Sequence, residues 1–310
     1  MIDEKIEYSL KFVKSIISPH ILDVGQVKLF KEAISYQIFA DKLNILCMSS
    51  TSSGAKSSLR YSLIKLLDNF NYCTAGRLTG IGMSEEAMIV GDGGILLIDE
   101  IERLPSDALT PLYDILQFQT LKISKHGMHE TMPVPIKILA TCNPRGNRSE
   151  WIAYGNTGSM RDQLPFPIPF LRRFHIPIFL RSYTSEEFDR INRFKAKFKK
   201  ENPEGVTYDK KAINEFNKYI DDSRNMEYKK DVPDRVFRFL KNIKMFEDYI
   251  LTPITPELLE GIVETAKARA RIEMSEEITK SMWDDVMRFL INCLSTGGLS
   301  MRLIERRILP

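Results

Sequence analysis

Paired cysteines, long apolar runs and a strong excess of one charge are all missing from this chain of 310 residues. Cys47, Cys73, Cys142 and Cys293 are scattered and form no CxxC pair, which leaves neither a disulfide framework nor a zinc module to expect. A reducing, intracellular setting follows. No stretch reaches the ~18 apolar residues of a membrane span, and the first residues, MIDEKIEYSL, are acidic where a secretory leader would be basic. No membrane partner is expected. The net charge of +3 is too small to imply nucleic acid by itself, so any such site must be a local patch. Internal repeats are absent, and the one biased segment is a short serine cluster. What is present is ordinary globular material, 43% hydrophobic and 27% charged, enough to fill a sizeable core. The length predicts two domains or one elaborated domain.

Helical spacing of apolar residues marks 5–17 and 26–39, separated by a break at Ser18-Pro19-His20, where proline disfavours helix in the residue before it. A buried strand is expected at 43–48, then the serine cluster. A helix follows with Leu59, Leu63, Leu66 and Phe70 on one face. Residues 92–104, DGGILLIDEIERL, are an apolar run ending in two carboxylates. Residues 119–138 read as a hairpin turning at KHG, leading into the strand IKILAT and then CNPRGN. LPFPIPFLRRFHIPIFL, 164–180, is broken by proline and ends in another apolar strand. Strands alternating with helices to about residue 182 predict an α/β fold with a parallel sheet. From 185 the pattern is helical, with a well-formed start at Thr255-Pro256-Glu257. The expected division is 1–183 for the α/β core and 184–310 for a helical lid.

The serine cluster, SSTSSGAKSS at 49–58, poses the central question. The phosphate-binding loop has the form G-x-x-x-x-G-K-[ST]. Placing its lysine at Lys56 puts Ser50 and Ala55 where glycines are expected, with Ser57 as the metal-binding hydroxyl. Taken alone, the stretch also reads as a serine-rich turn before a helix. The order downstream favours a nucleotide: Asp99-Glu100 ends an apolar strand with a magnesium-linked carboxylate and a base for water. Asn143 ends the next strand with a short amide suited to holding that water. Strand-end solubility and an ordinary turn are the plain readings of these residues. His126 and His129 have HxxH spacing, but across a turn and without a third ligand they read as exposed histidines.

Together these residues resemble the AAA+ motor of the minichromosome maintenance (MCM) replicative helicases, over nearly the whole chain. SIISPHILDVGQVKLFKEAISYQIF resembles that family's opening helix–Ser-Ile-x-Pro–helix segment. Its phosphate loop reads G-D-P-G-T-A-K-S, so Ala55-Lys56-Ser57 matches, whereas Ser50, Thr51, Ser52 and Ser53 do not. DGGILLIDEIERL is similar to its Walker B segment and LATCNP to its sensor 1. QTLKISKHG looks like the pre-sensor hairpin whose tip lysine touches DNA, which falls here on Lys125. LPFPIPFLRRFHIPIF is similar to L-L-S-R-F-D-L and puts the arginine finger at Arg173, with Arg172 replacing a serine. VPDRVFRFLKNI resembles the sensor 2 helix and maps its arginine to Arg235. The resemblance implies an AAA+ fold, ATP and Mg²⁺ as cofactors, and nucleotide binding by Gly54, Ala55, Lys56, Ser57, Ser58, Asp99 and Arg235. Ser57 and Asp99 would hold the metal, while Glu100, Asn143 and Arg173 would carry hydrolysis. It implies a homo-oligomeric ring, a hexamer in this family, with DNA and a loading factor as partners, at the nucleoid of the cytoplasm.

The departures shape further expectations. No amino-terminal barrel or zinc module and no full carboxy-terminal winged helix are expected, 275–310 being at most a vestige. The second channel hairpin is expected to be cut down to GIGMSEEAMIV. Met83, Met88 and Ile89 in that segment read as core or interface packing, and MRLIERRILP as a docked terminal helix. Arg145, Arg148 and Arg161 lie in loops beside Asn143 and read as surface, interface or DNA contacts. Two competing functions remain: a MoxR- or chelatase-like AAA+ protein remodeller, and a decayed, non-enzymatic paralogue suggested by Ser50, Ser52 and Ser53.

Overall fold

The computed structural model describes residues 8–49, 55–125, 128–143, 163–228, 231–247, 250 and 253–296. The loop residues 50–54, the hairpin tip at 126–127, the arginines at 145, 148 and 161, and the terminal segment 297–310 lie outside these. The first helices are α1 (Leu10–Ile17) and α2 (Gly25–Phe39). The Ser9 hydroxyl starts α1 by accepting from the Phe12 N–H at 3.2 Å. Strand β1 (Ile45–Ser49) is followed by α3 (Ala55–Leu66) and β2 (Phe70–Thr74). Leu59, Leu63 and Leu66 are buried on α3 as expected, but Phe70 is not on that helix. The helix stops at Leu66, and Phe70 opens an edge strand.

Next come α4 (Gly80–Val90), β3 (Ile95–Asp99) and α5 (Ser106–Phe118). The antiparallel pair β4 (Thr120–Lys125) and β5 (Met128–Pro133) follows, then β6 (Lys137–Cys142), the short α6 (Ile168–Leu171) and β7 (Ile176–Leu180). Five strands form one parallel sheet in the order β2-β3-β6-β1-β7. Alternation along the strands divides the core between the two faces: Ile45 and Cys47 of β1 join one cluster, Leu46 and Met48 the other. This is the AAA+ α/β fold.

The expected remnant of a second channel hairpin is not found: residues 80–90 are one unbroken helix. The Thr79 side chain starts it by accepting from the Gly82 N–H at 3.0 Å. Met83 is in the core, while Met88 and Ile89 are exposed.

Five helices complete the described chain: α7 (Ser185–Glu201), α8 (Lys210–Arg224), α9 (Asp234–Lys244), α10 (Pro256–Ile272) and α11 (Lys280–Ser295). Helix α10 begins where the sequence places it, but the Thr255 side chain caps no backbone N–H. Instead it bonds the Glu257 carboxylate and lowers its pKa.

Helix α10 lies along α2 and is bonded to the end of that helix. Arg271 donates to Asp41 Oδ1 at 2.7 Å and Oδ2 at 3.1 Å, and to the Phe39 carbonyl at 3.0 Å. Lys137 Nζ, fully buried, donates to the carbonyls of Ile38 and Ala40 at 3.2 and 3.0 Å. Two basic side chains thus donate to carbonyls that a helix end leaves unpaired, and burial pushes the pKa of Lys137 well below its ordinary value. Gly261 permits the close approach of α10, since a Cβ there would stand 2.8 Å from His175 Cβ.

Glu260 sits in the same seam, 3.0 Å from Lys42 Nζ and 3.5 Å from His175 Nε2. The His175 hydrogen bond and then Lys42 hold its pKa down at about 2 against an ordinary 4.5. A carboxylate with a depressed folded pKa stabilises the fold fully above its unfolded value and loses that contribution as pH falls through the folded one. Thermal melting from pH 7 to pH 2 should therefore show a smaller acid-induced drop in Glu260→Gln than in the unchanged chain, with the difference opening below about pH 4.5. Parallel melting curves would refute this.

Candidate functional site

In a parallel sheet of this kind ligands collect beyond the carboxyl ends of the strands. There the fold gathers the amino end of α3, the end of β3 and the end of β6. Lys56, half-buried in the first turn of α3, directs Nζ to Asn143 Oδ1 at 3.5 Å. Ser57 beside it is exposed, and Ala55 opens the helix; Gly54 lies outside the described residues.

Asp99 ends β3, and its carboxylate accepts from the Thr141 hydroxyl on β6. The same Thr141 oxygen accepts from the Glu100 N–H at 3.2 Å. One hydroxyl therefore fixes both neighbouring carboxylate residues across two strands. Glu100 adopts the left-handed region, φ 56°, where a non-glycine residue is uncommon and costs energy. Its side chain pairs with Arg103 at 3.1 Å. Asn143 is held by Glu102, whose carboxylate accepts from the Asn143 N–H at 3.2 Å and from Nδ2 at 2.8 Å. With its amide nitrogen so engaged, Oδ1 is left facing Lys56.

Cys47 lies beneath this cluster. Burial pushes its thiol up to about 12, with the Asp99 charge adding and Lys56 opposing, so it stays protonated and is no nucleophile. Ser57 and Asp99 offer one hydroxyl and one carboxylate, a hard oxygen set suited to Mg²⁺ held chiefly by phosphates and water. Among the described residues no cluster of three or more His, Cys, Asp or Glu could hold a metal by itself.

The remaining candidates stand elsewhere. Arg173 lies just before β7, at the sheet edge opposite to Lys56. Its guanidinium is 4.0 Å from Glu257 at the start of α10, and the side chain is 25% exposed. Arg235, at the start of α9, pairs with Asp284 of α11 at 2.8 Å. Lys125 ends β4 opposite Met128, and its side chain lies outside those described, as does that of His129. The sequence reading missed Thr141, Glu102 and Arg103. Glu102 had one visible signal, a third carboxylate following Asp99-Glu100.

A family model for the MCM P-loop domain matches residues 11–193. The "DNA replication licensing factor MCM4" of Arabidopsis thaliana is 22% identical over 298 residues, covering 86% of this chain and 34% of that protein. The "Minichromosome maintenance protein MCM" of Saccharolobus solfataricus is 22% identical over 219 residues, covering 69% of this chain and 31% of its own length. The "Probable DNA helicase MCM9" of Oryza sativa subsp. indica is 22% identical over 271 residues, covering 84% and 37%. The chain thus spans about a third of the length of the curated relatives it matches. With a sheet in this strand order, a lysine, carboxylates and amide converging at its carboxyl edge, and a family match across more than half its residues, the chain belongs to the MCM P-loop domain family.

Proposed function

We propose that this protein is an ATP-hydrolysing DNA translocase or helicase motor that works as a ring of identical copies. The observation that carries this reading is the convergence of Lys56, Asn143, Thr141 and Asp99 at the amino end of α3. Residues 1–183 would form the motor core and 184–310 its helical lid.

In this reading ATP lies across the α3 terminus, whose N–H groups and dipole favour phosphate. Gly54, Ala55 and Ser58 would take part in holding the nucleotide, and Lys56 would place its charge between the outer phosphates. Ser57 and Asp99 would hold Mg²⁺, which neutralises charge on the phosphate oxygens when bound. Glu100 leaves Arg103 to polarise the attacking water, and Asn143, already aimed by Glu102, holds that water in line. Arg173 is read as serving a neighbour's site, since the length of a five-residue strand, about 16 Å, lies between its edge of the sheet and that of Lys56. It would stabilise charge on the γ-phosphate bound to a neighbour, so a multimer is part of the mechanism. Arg235 would assist from the lid once freed from Asp284. Lys125 at the hairpin tip would grip a DNA phosphate without regard to sequence. A hexamer loaded onto DNA at the nucleoid by a separate factor completes the proposal.

Steady-state ATP turnover with and without single-stranded DNA, together with the mass of the assembly, tests it. The expected result is a multimer whose turnover rises with DNA and falls back as salt is raised. A monomer that hydrolyses ATP regardless of DNA would overturn it, and a DNA-indifferent multimer would point to protein remodelling.

A further inference from the structure

The small net charge conceals an uneven distribution. Between Arg190 and Lys200, α7 carries Arg190, Arg193, Lys195, Lys197, Lys199 and Lys200 and no carboxylate. Six positive charges in a chain of net +3 leave −3 for everything else. Arg190, Arg193, Lys197 and Lys200 recur at i, i+3, i+7 and i+10, which places them on one helical face. All four are exposed. The stripe runs for about 15 Å at 1.5 Å per residue.

Helix α7 is attached along a narrow edge. Ile191 is its one buried residue, with Phe194 and Phe198 half-buried on the same side. A helix this polar is usually supported by alternating charges at neighbouring turns. Here the support is sparse: Arg193 meets Asp189 at 2.8 Å and Lys197 meets Glu201 at 3.8 Å, both pairs exposed. Among the described residues no carboxylate lies within ion-pair distance of Arg190, Lys195, Lys199 or Lys200. Like charges stacked a turn apart repel, and a polyanion laid along the stripe would relieve that repulsion.

Geometry selects the polyanion. The stripe's length of about 15 Å is long enough to follow several phosphates of a strand, each neutralised by one cation. Phe188, 58% exposed, lies with Lys195 and Lys199 on nearly the opposite side of the helix, about 160° round from the stripe at 3.6 residues per turn, so the stripe itself offers charge alone. An anionic bilayer is the poorer fit, since a membrane-surface helix needs a free apolar face and Ile191, Phe194 and Phe198 turn theirs to the protein. We propose that the Arg190–Arg193–Lys197–Lys200 face of α7 is a sequence-independent binding surface for the sugar-phosphate backbone of a nucleic-acid strand. It goes beyond the hairpin contact at Lys125 and does not depend on nucleotide.

The test is the affinity of the full chain for a labelled oligo(dT) strand without nucleotide, by fluorescence anisotropy across a salt series. The variant is Arg190→Gln/Arg193→Gln/Lys197→Gln/Lys200→Gln. The double variant Arg190→Gln/Lys200→Gln serves as a check should the fourfold one melt early. Each phosphate contact removed should make the slope of log K against log salt shallower by about 0.7, giving roughly 3 for the fourfold variant and 1.4 for the double. DNA-free ATP turnover should stay unchanged. Repeating the titration in a Lys56→Ala background separates this surface from the motor reading, because oligo(dT) binding should persist there with the same slope difference. An unchanged slope in the folded variants overturns the proposal. So does loss of binding to phosphatidylserine vesicles with oligo(dT) binding intact, which would assign the stripe to a membrane.

Discussion

Glu100→Gln is expected to lower ATP turnover by about 10²–10⁴-fold, the range lost with a positioned general base, while leaving nucleotide affinity nearly unchanged. Glutamine keeps the shape and the strained backbone site, whose N–H remains bonded to Thr141. Only the ability to take a proton is removed. Lys56→Ala should behave differently, losing nucleotide affinity as well as turnover, because its charge meets phosphate in ground and transition states alike. A fluorescent ATP analogue for binding and phosphate release for turnover read the two effects separately. Arg103 gives a further handle, since its pairing with Glu100 at 3.1 Å must break before the carboxylate can reach water. Equal, background rates in the unchanged chain, Glu100→Gln and Lys56→Ala would mean that the glycine-poor loop supports no hydrolysis, and the scaffold reading would take its place.

Where the chemistry is written in local order, the sequence was a good guide. β1, β3, β6 and β7 are buried on both faces, so each shows as an apolar run, and Lys56, Asp99 and Asn143 stand at or just beyond the carboxyl ends of β1, β3 and β6. β2 was not visible in this way. FNYCT is an edge strand with one buried residue, Cys73, and its alternation is too weak to separate from the preceding helix. That is why Phe70 was assigned to the face of α3.

Thr141 and Glu102 were hidden for a different reason. Thr141 matters because β6 lies beside β3 in the sheet, and Glu102 because its turn folds back onto Asn143, 41 residues on. Such pairings are tertiary and leave no mark on either segment. The segment 80–90 misled in the opposite sense. The expected hairpin remnant came from the resemblance to the family, but Gly80 and Gly82 occupy a capped first helical turn, where their backbone N–H groups meet Asp107 and Thr79. Nothing after Gly82 interrupts the helix, so the apolar residues there simply pack or point outward.

Arg173→Ala should reduce turnover by about 10³–10⁵-fold if the residue acts as an arginine finger, and mixing decides whether it acts between copies. Two defective chains are combined, one Arg173→Ala and the other Glu100→Gln. At an interface where the first supplies Lys56, Asp99 and Glu100 and the second supplies Arg173, every part of the proposed site is intact. Activity should therefore reappear on mixing, reaching a fraction of the unchanged assembly set by how often such interfaces form. If Arg173 served only its own copy, each chain would stay inactive whatever its neighbour. A third possibility is that Arg173 merely ties the loop before β7 to α10 through Glu257. In that case Glu257→Gln would reproduce the Arg173→Ala loss and mixing would restore nothing. The guanidinium is one-quarter exposed, and its ion pair with Glu257 is long, at 4.0 Å. A contact that weak is readily exchanged for a phosphate, where a planar guanidinium can form two charge-assisted hydrogen bonds at once.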